Sequence, residues 1–368
     1  MDDNTFYWYW LNNIPGIGRC YIDRLLHTLK TPKEIYNAKP DDIEALLETS
    51  HLKSSFYHSK DENTIINSYK RLQEKRISFL HLDSVGYPRR LKELSDPPYG
   101  LYLKGRLPDE EKKSIAVIGA RSCTRHGSEM ARYFGRELAS YEIPVISGLA
   151  RGIDGMSHRG AMEENGYTLG ILGCGIDQVY PKENYELFMG MEKTGGIVSE
   201  YNIGVAPKAG LFPLRNRLIS AFCDGILVIE AMEKSGTFIT VDQGLEQGKE
   251  IFALPGRITD KRSAGCNYLI KLGAHIVTDV KDIVEIFHMK TKKDENTIIN
   301  YMNQQTEKMS LAPIEKMVYS CLRIEPRYLD DIIEEIQIAP QEVCMILNRM
   351  TVLGLVVETS RNYYAIRL

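Results

Sequence analysis

The feature that most limits how this chain can fold is a run of about 170 residues, 114–287, in which short apolar strands alternate with helical stretches. Strand patterns fall at 114–118, 144–147, 168–172, 197–199, 225–229 and 250–254, and several of them run into small or basic residues. Strands that are apolar throughout need cover on both faces, which intervening helices supply, so the pattern predicts an α/β fold with a doubly wound, mainly parallel sheet. In such a sheet ligands lie beyond the carboxyl ends of the strands.

The turns at those ends are suited to anions. The first strand leads through Gly119-Ala-Arg121-Ser-Cys-Thr124 toward a helix read at 129–138, and the second through Ser147-Gly148-Leu-Ala-Arg151-Gly-Ile-Asp154. A backbone that turns on glycine into a helix start offers unpaired N–H groups and a partial positive charge to a phosphate. The Arg121 guanidinium can add bidentate bonds there, or it is simply an exposed loop arginine. Arg151, Lys182, Lys208, and Arg215 and Arg217 around Asn216 occupy corresponding turns, which share one edge of a doubly wound sheet. The expected result is a basic groove built from separated segments. Bulk charge hides it, because the chain carries a net charge of −3 and residues 114–287 hold 18 basic against 21 acidic side chains. Tyr180, Tyr201 and Phe212 are near these cations in sequence. They suit either the π-faces of unstacked bases or a capping role at the sheet edge.

Several chemistries lack their signatures. No G-x-G-x-x-G follows a strand, Gly173-Cys-Gly175 lacks the third glycine, and no G-x-x-x-x-G-K-[ST] loop occurs, so neither a dinucleotide cofactor nor nucleotide triphosphate cleavage is expected. His126, His158 and His275 have no metal partner at a recognised spacing, and the seven cysteines form no C-x-x-C pair. Reduced thiols in the cytoplasm account for them. Asp154, Asp177, Glu200 and Glu230 near strand ends suit acid–base work, helix capping or ion pairing equally well. The start of the chain shows no basic segment followed by an apolar run, and no stretch of 18 apolar residues occurs, so an unexported chain without membrane insertion is expected.

Composition divides the chain into residues 1–80, helical; 81–288, the α/β domain; 289–310, a polar linker; and 311–368. The first part contains Ile14-Pro-Gly-Ile-Gly18 ahead of the apolar spacing Ile22, Leu25, Leu26, Leu29. This is similar to a helix-hairpin-helix or sterile-alpha-motif domain, in which Pro-Gly either brings backbone to a DNA phosphate or only joins two helices. The string K-D-E-N-T-I-I-N occurs at 60–67 and 293–300, with flanks too different to indicate duplication. The last part reads as helices at 313–322, 329–336 and 340–353 and strands at 355–358 and 363–366, a winged helix. Its 6 basic and 8 acidic residues favour protein contact or packing over phosphate binding. Residues 267–272 and 274–277 hold more apolar side chains than one buried stripe needs, which fits a homodimer face or packing against the linker.

With those residues in place, the chain closely resembles the DNA-processing protein A family, also called Smf. The matching segments are Gly86-Tyr-Pro-Arg-Arg-Leu with Asp96-Pro-Pro, Leu101-Tyr-Leu-Lys-Gly105, Val117-Ile-Gly-Ala-Arg121, Ser147-Gly-Leu-Ala-Arg-Gly-Ile-Asp154 with His158-Arg-Gly160, Val179-Tyr-Pro-Lys-Glu-Asn184, Phe212-Pro-Leu-Arg-Asn-Arg217, and Ser235-Gly-Thr-Phe-Ile-Thr240 with Pro255-Gly256. The match runs from about residue 86 to 279. The resemblance implies a Rossmann-like, non-enzymatic protein without a cofactor that binds single-stranded DNA, dimerises, and loads the recombinase RecA onto incoming strands during natural transformation. By position it makes Arg121 and Lys182 phosphate-pocket residues, with Gly119, Ser147, Gly148, Arg151, Lys208, Asn216, Arg217, Ser235 and Gly236 around them. The rival implied by a similar fold is a nucleotide phosphoribohydrolase acting on nucleoside monophosphates. That family carries P-G-G-x-G-T-x-x-E, whereas residues 232–240 here lack the Pro-Gly-Gly and hold Thr240 in place of the carboxylate.

Overall fold

The computed structural model describes residues 1–289, 311–322 and 326–366. The chain forms two compact units, 1–289 and 290–368. The first is built on a nine-stranded sheet: β1 (Ser78–His81), β2 (Gly100–Gly105), β3 (Ile115–Ile118), β4 (Val145–Ser147), β5 (Thr168–Leu172), β6 (Gly196–Ser199), β7 (Gly225–Val228), β8 (Glu250–Ala253) and β9 (His275–Ile276). The order across the sheet is β1-β2-β6-β5-β4-β3-β7-β8-β9. From β6 to β9 every pair is parallel, whereas β1 on β2 and β2 on β6 are antiparallel.

The expected parallel sheet is therefore present, with three strands that the sequence pattern conceals. Strand β1 is four residues long and continues directly from a segment of helical composition, and β9 has two residues, one half-buried and one exposed. Neither is long enough for a period of two to stand out. Along β3 the alternation is plain: Ile115 and Val117 enter the core on one face, and Ala116 and Ile118 enter the core on the other. Helices Arg125–Ser140, Ile153–Glu163 and Val280–Ile286 cover the first face with Phe134, Leu138, Ile153 and Ile283, and helices Leu211–Ala221, Thr237–Glu246 and Ala264–Lys271 cover the second with Leu218, Val241 and Leu269.

Six helices precede the sheet, at Asp3–Asn12, Arg19–Leu29, Pro32–Asn37, Pro40–Leu46, Ser50–His58 and Glu62–Glu74. Their core of Trp8, Trp10, Leu25, Ile35 and Phe56 is continuous with Phe79, Tyr102, Leu149 and Leu172 of the sheet region. Polar ties add to it: the Trp8 indole donates to Asp83 at 2.8 Å, and the Asn202 amide donates to Tyr9 Oη at 2.9 Å and to Asn13 Oδ1 at 2.8 Å. The first K-D-E-N-T-I-I-N copy is a helix start, with Asp61 capping Glu62–Glu74 through Thr64 N–H. The second copy and the expected linker, from residue 290 on, lie outside the described residues.

The second unit has helices Pro313–Cys321, Leu329–Ile336 and Pro340–Val352 and a three-stranded sheet of β10 (Arg327–Tyr328), β11 (Val356–Ser360) and β12 (Tyr363–Ile366), ordered β10-β12-β11. Val318, Ile332, Val343, Leu347 and Met350 form its separate core. Arg349 on the third helix pairs with the buried Glu315 at 2.7 Å. Among the described residues, no helix is long and apolar enough to cross a membrane.

Candidate functional site

The chain passes from β3 through β4 and β5 to β6, then returns to place β7 on the other side of β3. The two diverging connections leave a crevice at the carboxyl ends of β3 and β7, the switch point of the sheet. A cleft of about 690 Å³ opens there, walled by residues 118–122, by Pro207, Phe212 and Asn216, and by the segment from Met232 to Thr240. A smaller hollow of about 200 Å³ adjoins it past Gly148, Gly173 and Pro181, and Arg121, Tyr180, Phe212 and Arg215 line both.

Three helices, Ile153–Glu163, Leu211–Ala221 and Thr237–Glu246, start at this edge, each from a glycine, with their first N–H groups partnered locally: Ile153 N–H donates to Ala120 O at 3.3 Å, Leu211 N–H to Lys208 O at 3.0 Å and Thr237 N–H to Ser235 Oγ at 3.2 Å. Their positive dipole ends face the crevice. The helix after β3 behaves otherwise and corrects the sequence reading. It begins at Arg125, directly after the expected turn, and Thr124 Oγ1 accepts from Gly127 N–H and closes its first turn. The Thr124 N–H and hydroxyl donate to Glu230. The helices that start at the crevice are thus those after β4, β6 and β7.

Arg121 projects from the first turn with its guanidinium 5.1 Å from the Phe212 ring centroid, a cation–π arrangement. Phe212 stacks on Tyr180 at 5.5 Å with a 28° tilt, and Tyr180 is 43% exposed. Tyr201 differs from these two. It is partly buried, burial pushes its phenol up to about 12, and its N–H donates to Ser199 Oγ.

Arg215 is the residue whose role the sequence misrepresents. It is not an exposed cation at a helix start but 3% exposed, donating to the carbonyls of Gly148, at 2.8 Å, and Ile171. Burial lowers its guanidinium to about 10 and raises the Asp154 carboxyl beside it, the mutual attraction opposing both shifts. Asp154 in turn accepts from Gly148 N–H at 3.1 Å. A Cβ on Gly148 would be 2.7 Å from Arg215 Nη2, so glycine is required where this pair crosses the backbone.

The remaining expected site residues divide into three groups. Gly119, Asn216, Ser235 and Gly236 line the cleft, and Gly148 and Arg151 line the smaller hollow, Arg151 pairing with Glu183 at 2.6 Å. Lys182 and Lys208 are exposed and flank it: Pro181 lines the hollow, and Pro207 and Ala209 line the cleft. Ser147 and Arg217 line neither. Ser147 is buried and donates to Val117 O at 2.6 Å, tying β4 to β3. Arg217 reaches Asp96 at 2.7 Å and Glu200 at 2.6 Å, and burial lifts the Glu200 carboxyl against the pull of Arg217. Two lining cations are not among the expected site residues: Lys234, although it lies in the strand-end turn beside Ser235 and Gly236, and Arg262, which only the fold of its loop brings to the cleft.

The candidate acids all have structural partners: Asp154 and Glu230 as described, Glu200 with Arg217, and Asp177 with Lys75 at 3.6 Å and Gly204 N–H at 2.9 Å. His158 is fully buried, hydrogen-bonded through Nδ1 to Thr168 Oγ1 at 2.6 Å, and burial lowers it to about 3. Burial likewise raises the thiols of Cys174, Cys223 and Cys266 to about 11 or 12, which leaves them unreactive. Among the described residues, no group of three or more His, Cys, Asp or Glu side chains is placed to hold a metal ion.

These features define a Rossmann-type α/β protein whose switch-point cleft is cationic, aromatic on one side and ringed by helix N-termini. The chain belongs to the DNA recombination-mediator protein A family, whose model matches residues 78–288. It is similar to Protein Smf of Escherichia coli, 39% identical over 215 residues, which is 58% of this chain and 58% of that protein. The chain thus spans somewhat over half the length of that relative. Protein Smf of Synechocystis is 30% identical across 95% of this chain and 96% of its own length. Among solved structures, DNA processing protein A of Streptococcus pneumoniae superposes with a TM-score of 0.67 at 29% identity, covering 76% of this chain and 97% of that one. The Helicobacter pylori protein, whose structure concerns its single-stranded DNA binding mode, gives a TM-score of 0.51 at 28% identity over 58% of this chain and 95% of its own.

Proposed function

We propose that this protein binds single-stranded DNA along the carboxyl edge of its sheet and breaks no bond there. The observation that carries the reading is the cluster of Arg121, Phe212 and Tyr180 at the mouth of a cleft toward which three helices start. Guanidinium and helix ends suit phosphates, and an exposed ring suits an unstacked base; duplex DNA offers no such face. Family membership and the single-strand binding mode of the Helicobacter pylori relative support it. Arg121 and Lys182 hold phosphates, and Gly119, Gly148, Arg151, Lys208, Asn216, Ser235 and Gly236 shape the surrounding path. Arg215, Arg217 and Ser147 hold the scaffold beneath it.

Salt titration with single- and double-stranded oligonucleotides tests this. Affinity for single strands should exceed that for duplex and fall as salt rises, and Arg121→Glu or Lys182→Glu should each weaken it by about tenfold and reduce the log–log salt slope by about 0.7 per lost contact. If neither reversal alters binding, the strand lies elsewhere.

Handing the bound strand to RecA, self-association through the face around Leu272 and Ile276, 66% and 54% exposed, and a winged-helix fold for the second unit complete the proposal. Formation of RecA filaments on strands pre-coated with single-strand binding protein, with and without this chain, tests the first. Light scattering tests the second, and a monomer at micromolar concentration would exclude it. The rival, hydrolysis of nucleoside monophosphates, needs a carboxylate free to act. The four strand-end acids are engaged and Thr240 is buried. Free base detected on incubation with monophosphates would reverse the choice.

A further inference from the structure

The described cations in and around the cleft and the hollow beside it lie on both sides of the switch point. Arg151 and Lys182 stand on the β4–β5 side, whereas Lys234 follows β7 and Arg262 ends the loop that follows β8. That loop, residues 254–263, leaves β8 at its carboxyl end and so shares the edge on which the cleft opens. It is held in a defined shape: Asp260 N–H donates to Arg257 O, Ser263 N–H to Asp260 O, and Ala231 N–H to Arg262 O, at 2.9–3.0 Å. Arg262 Nε donates to Ser122 O at 3.0 Å, which sets its guanidinium beside the Arg121 turn.

From there the loop carries its charge outward. Arg257 and Lys261 are exposed, and among the described residues neither they nor Lys234 pair with a carboxylate. The loop's one acid, Asp260, accepts from Arg262 N–H at 2.9 Å and so serves the loop's own backbone. Between the two outer cations Ile258 is 95% exposed. Unpaired cations repel one another until an anion joins them, and an isolated isoleucine among them presents an apolar surface to a base.

We propose that loop 254–263 is a second contact segment for the same strand: the DNA crosses the switch point past Arg262, and its next phosphates are held by Arg257 and Lys261 with a base against Ile258. This rests on the single-strand reading above and adds a direction and a longer footprint to it.

The experiment compares the full chain with Arg257→Glu/Lys261→Glu and with Arg121→Glu, titrating oligothymidylates of about 5 and about 20 nucleotides, lengths that bracket the usual footprint of one such surface. The double variant should bind the short strand like the wild type and the long strand about tenfold or more weaker, with a long-strand salt slope smaller by about 1.4 for two lost phosphates. Arg121→Glu should weaken both lengths. Unfolding curves and light scattering on the double variant should match the wild type, since the changed side chains are exposed. Equal binding of the long strand by wild type and double variant overturns the proposal. So does equal weakening at both lengths, which would make the loop part of the short site, and so does a changed oligomeric state, which would make it an interface. Should Arg121→Glu bind both lengths normally, the primary site itself is misplaced, an outcome separable from failure of the loop.

Discussion

At the scale of single residues, burial decides which ionisable groups serve the surface and which serve the scaffold. His158 shows the sign. Folded, its imidazole is neutral because burial lowers it to about 3, whereas in the unfolded chain it takes up a proton near its ordinary value of about 6.5. Protons therefore favour the unfolded state below that value, and stability falls as pH drops from 6.5 toward 3. Between pH 7 and 5 this group should remove about 2 kcal/mol, the slope steepening toward about 1.4 kcal/mol per pH unit once the pH is well below 6.5. His81, also lowered by burial, acts in the same direction. Urea unfolding at pH 7 and pH 5 measures the loss, and His158→Gln, whatever its stability at pH 7, should lose less between the two. An equally steep loss would mean that the ring is protonated in the fold. Arg215 and Arg217 make the complementary point about what a sequence discloses. Two arginines separated by one residue at a helix start read as one basic patch, yet one is buried against strand-end carbonyls and the other lies between Asp96 and Glu200. The carbonyl partners of Arg215 are 67 and 44 residues distant, at Gly148 and Ile171, those of Arg217 come from two other segments, and no local pattern records such meetings.

At the scale of elements, the parallel strands were legible because buried strands must be apolar along their whole length, and their observed ends differ from the expected ones by at most one residue. The antiparallel strands β1 and β2 and the edge strand β9 were not, since their identity comes from neighbours in the sheet. The turns were read correctly as places and less well as devices. Thr124 and Glu230 close the helix that the glycine turn appears to open, and only tertiary contact reveals it. Gly152 is the element-scale constraint on the cleft. It has φ of +74°, and a Cβ there would sit 2.3 Å from Ala120 O and 2.7 Å from Arg121 O. Gly152→Ala should therefore cost about 1–3 kcal/mol in denaturant unfolding and displace the Arg121 turn. Single-strand titration of the folded variant should show weaker binding; unaltered affinity would show that the position of Arg121 does not depend on this contact.

At the scale of the whole molecule, the six N-terminal helices are part of the same compact unit as the sheet. A composition boundary near residue 80 is visible in the sequence, but β1 and β2 carry the chain from the helices into the sheet, and the cores are continuous. Asn202, on the loop that leads from β6 to the cleft-lining Pro207 and Phe212, is fastened to Tyr9 and Asn13 of the first helical region. Asn13→Ala and Asn202→Ala, made singly and together, should be non-additive in unfolding free energy, with a coupling of about 0.5–3 kcal/mol. Strict additivity would mean that the contact contributes nothing. The fastening also bears on how such a chain can diverge. A helical segment on a free tether drifts in sequence independently of its neighbour, but here a substitution at Tyr9 or Asn13 alters the anchorage of the very loop that shapes the cleft, so the two regions are expected to change in step, and a graft of foreign N-terminal helices onto this sheet should need Asn202 and its surroundings to travel with them.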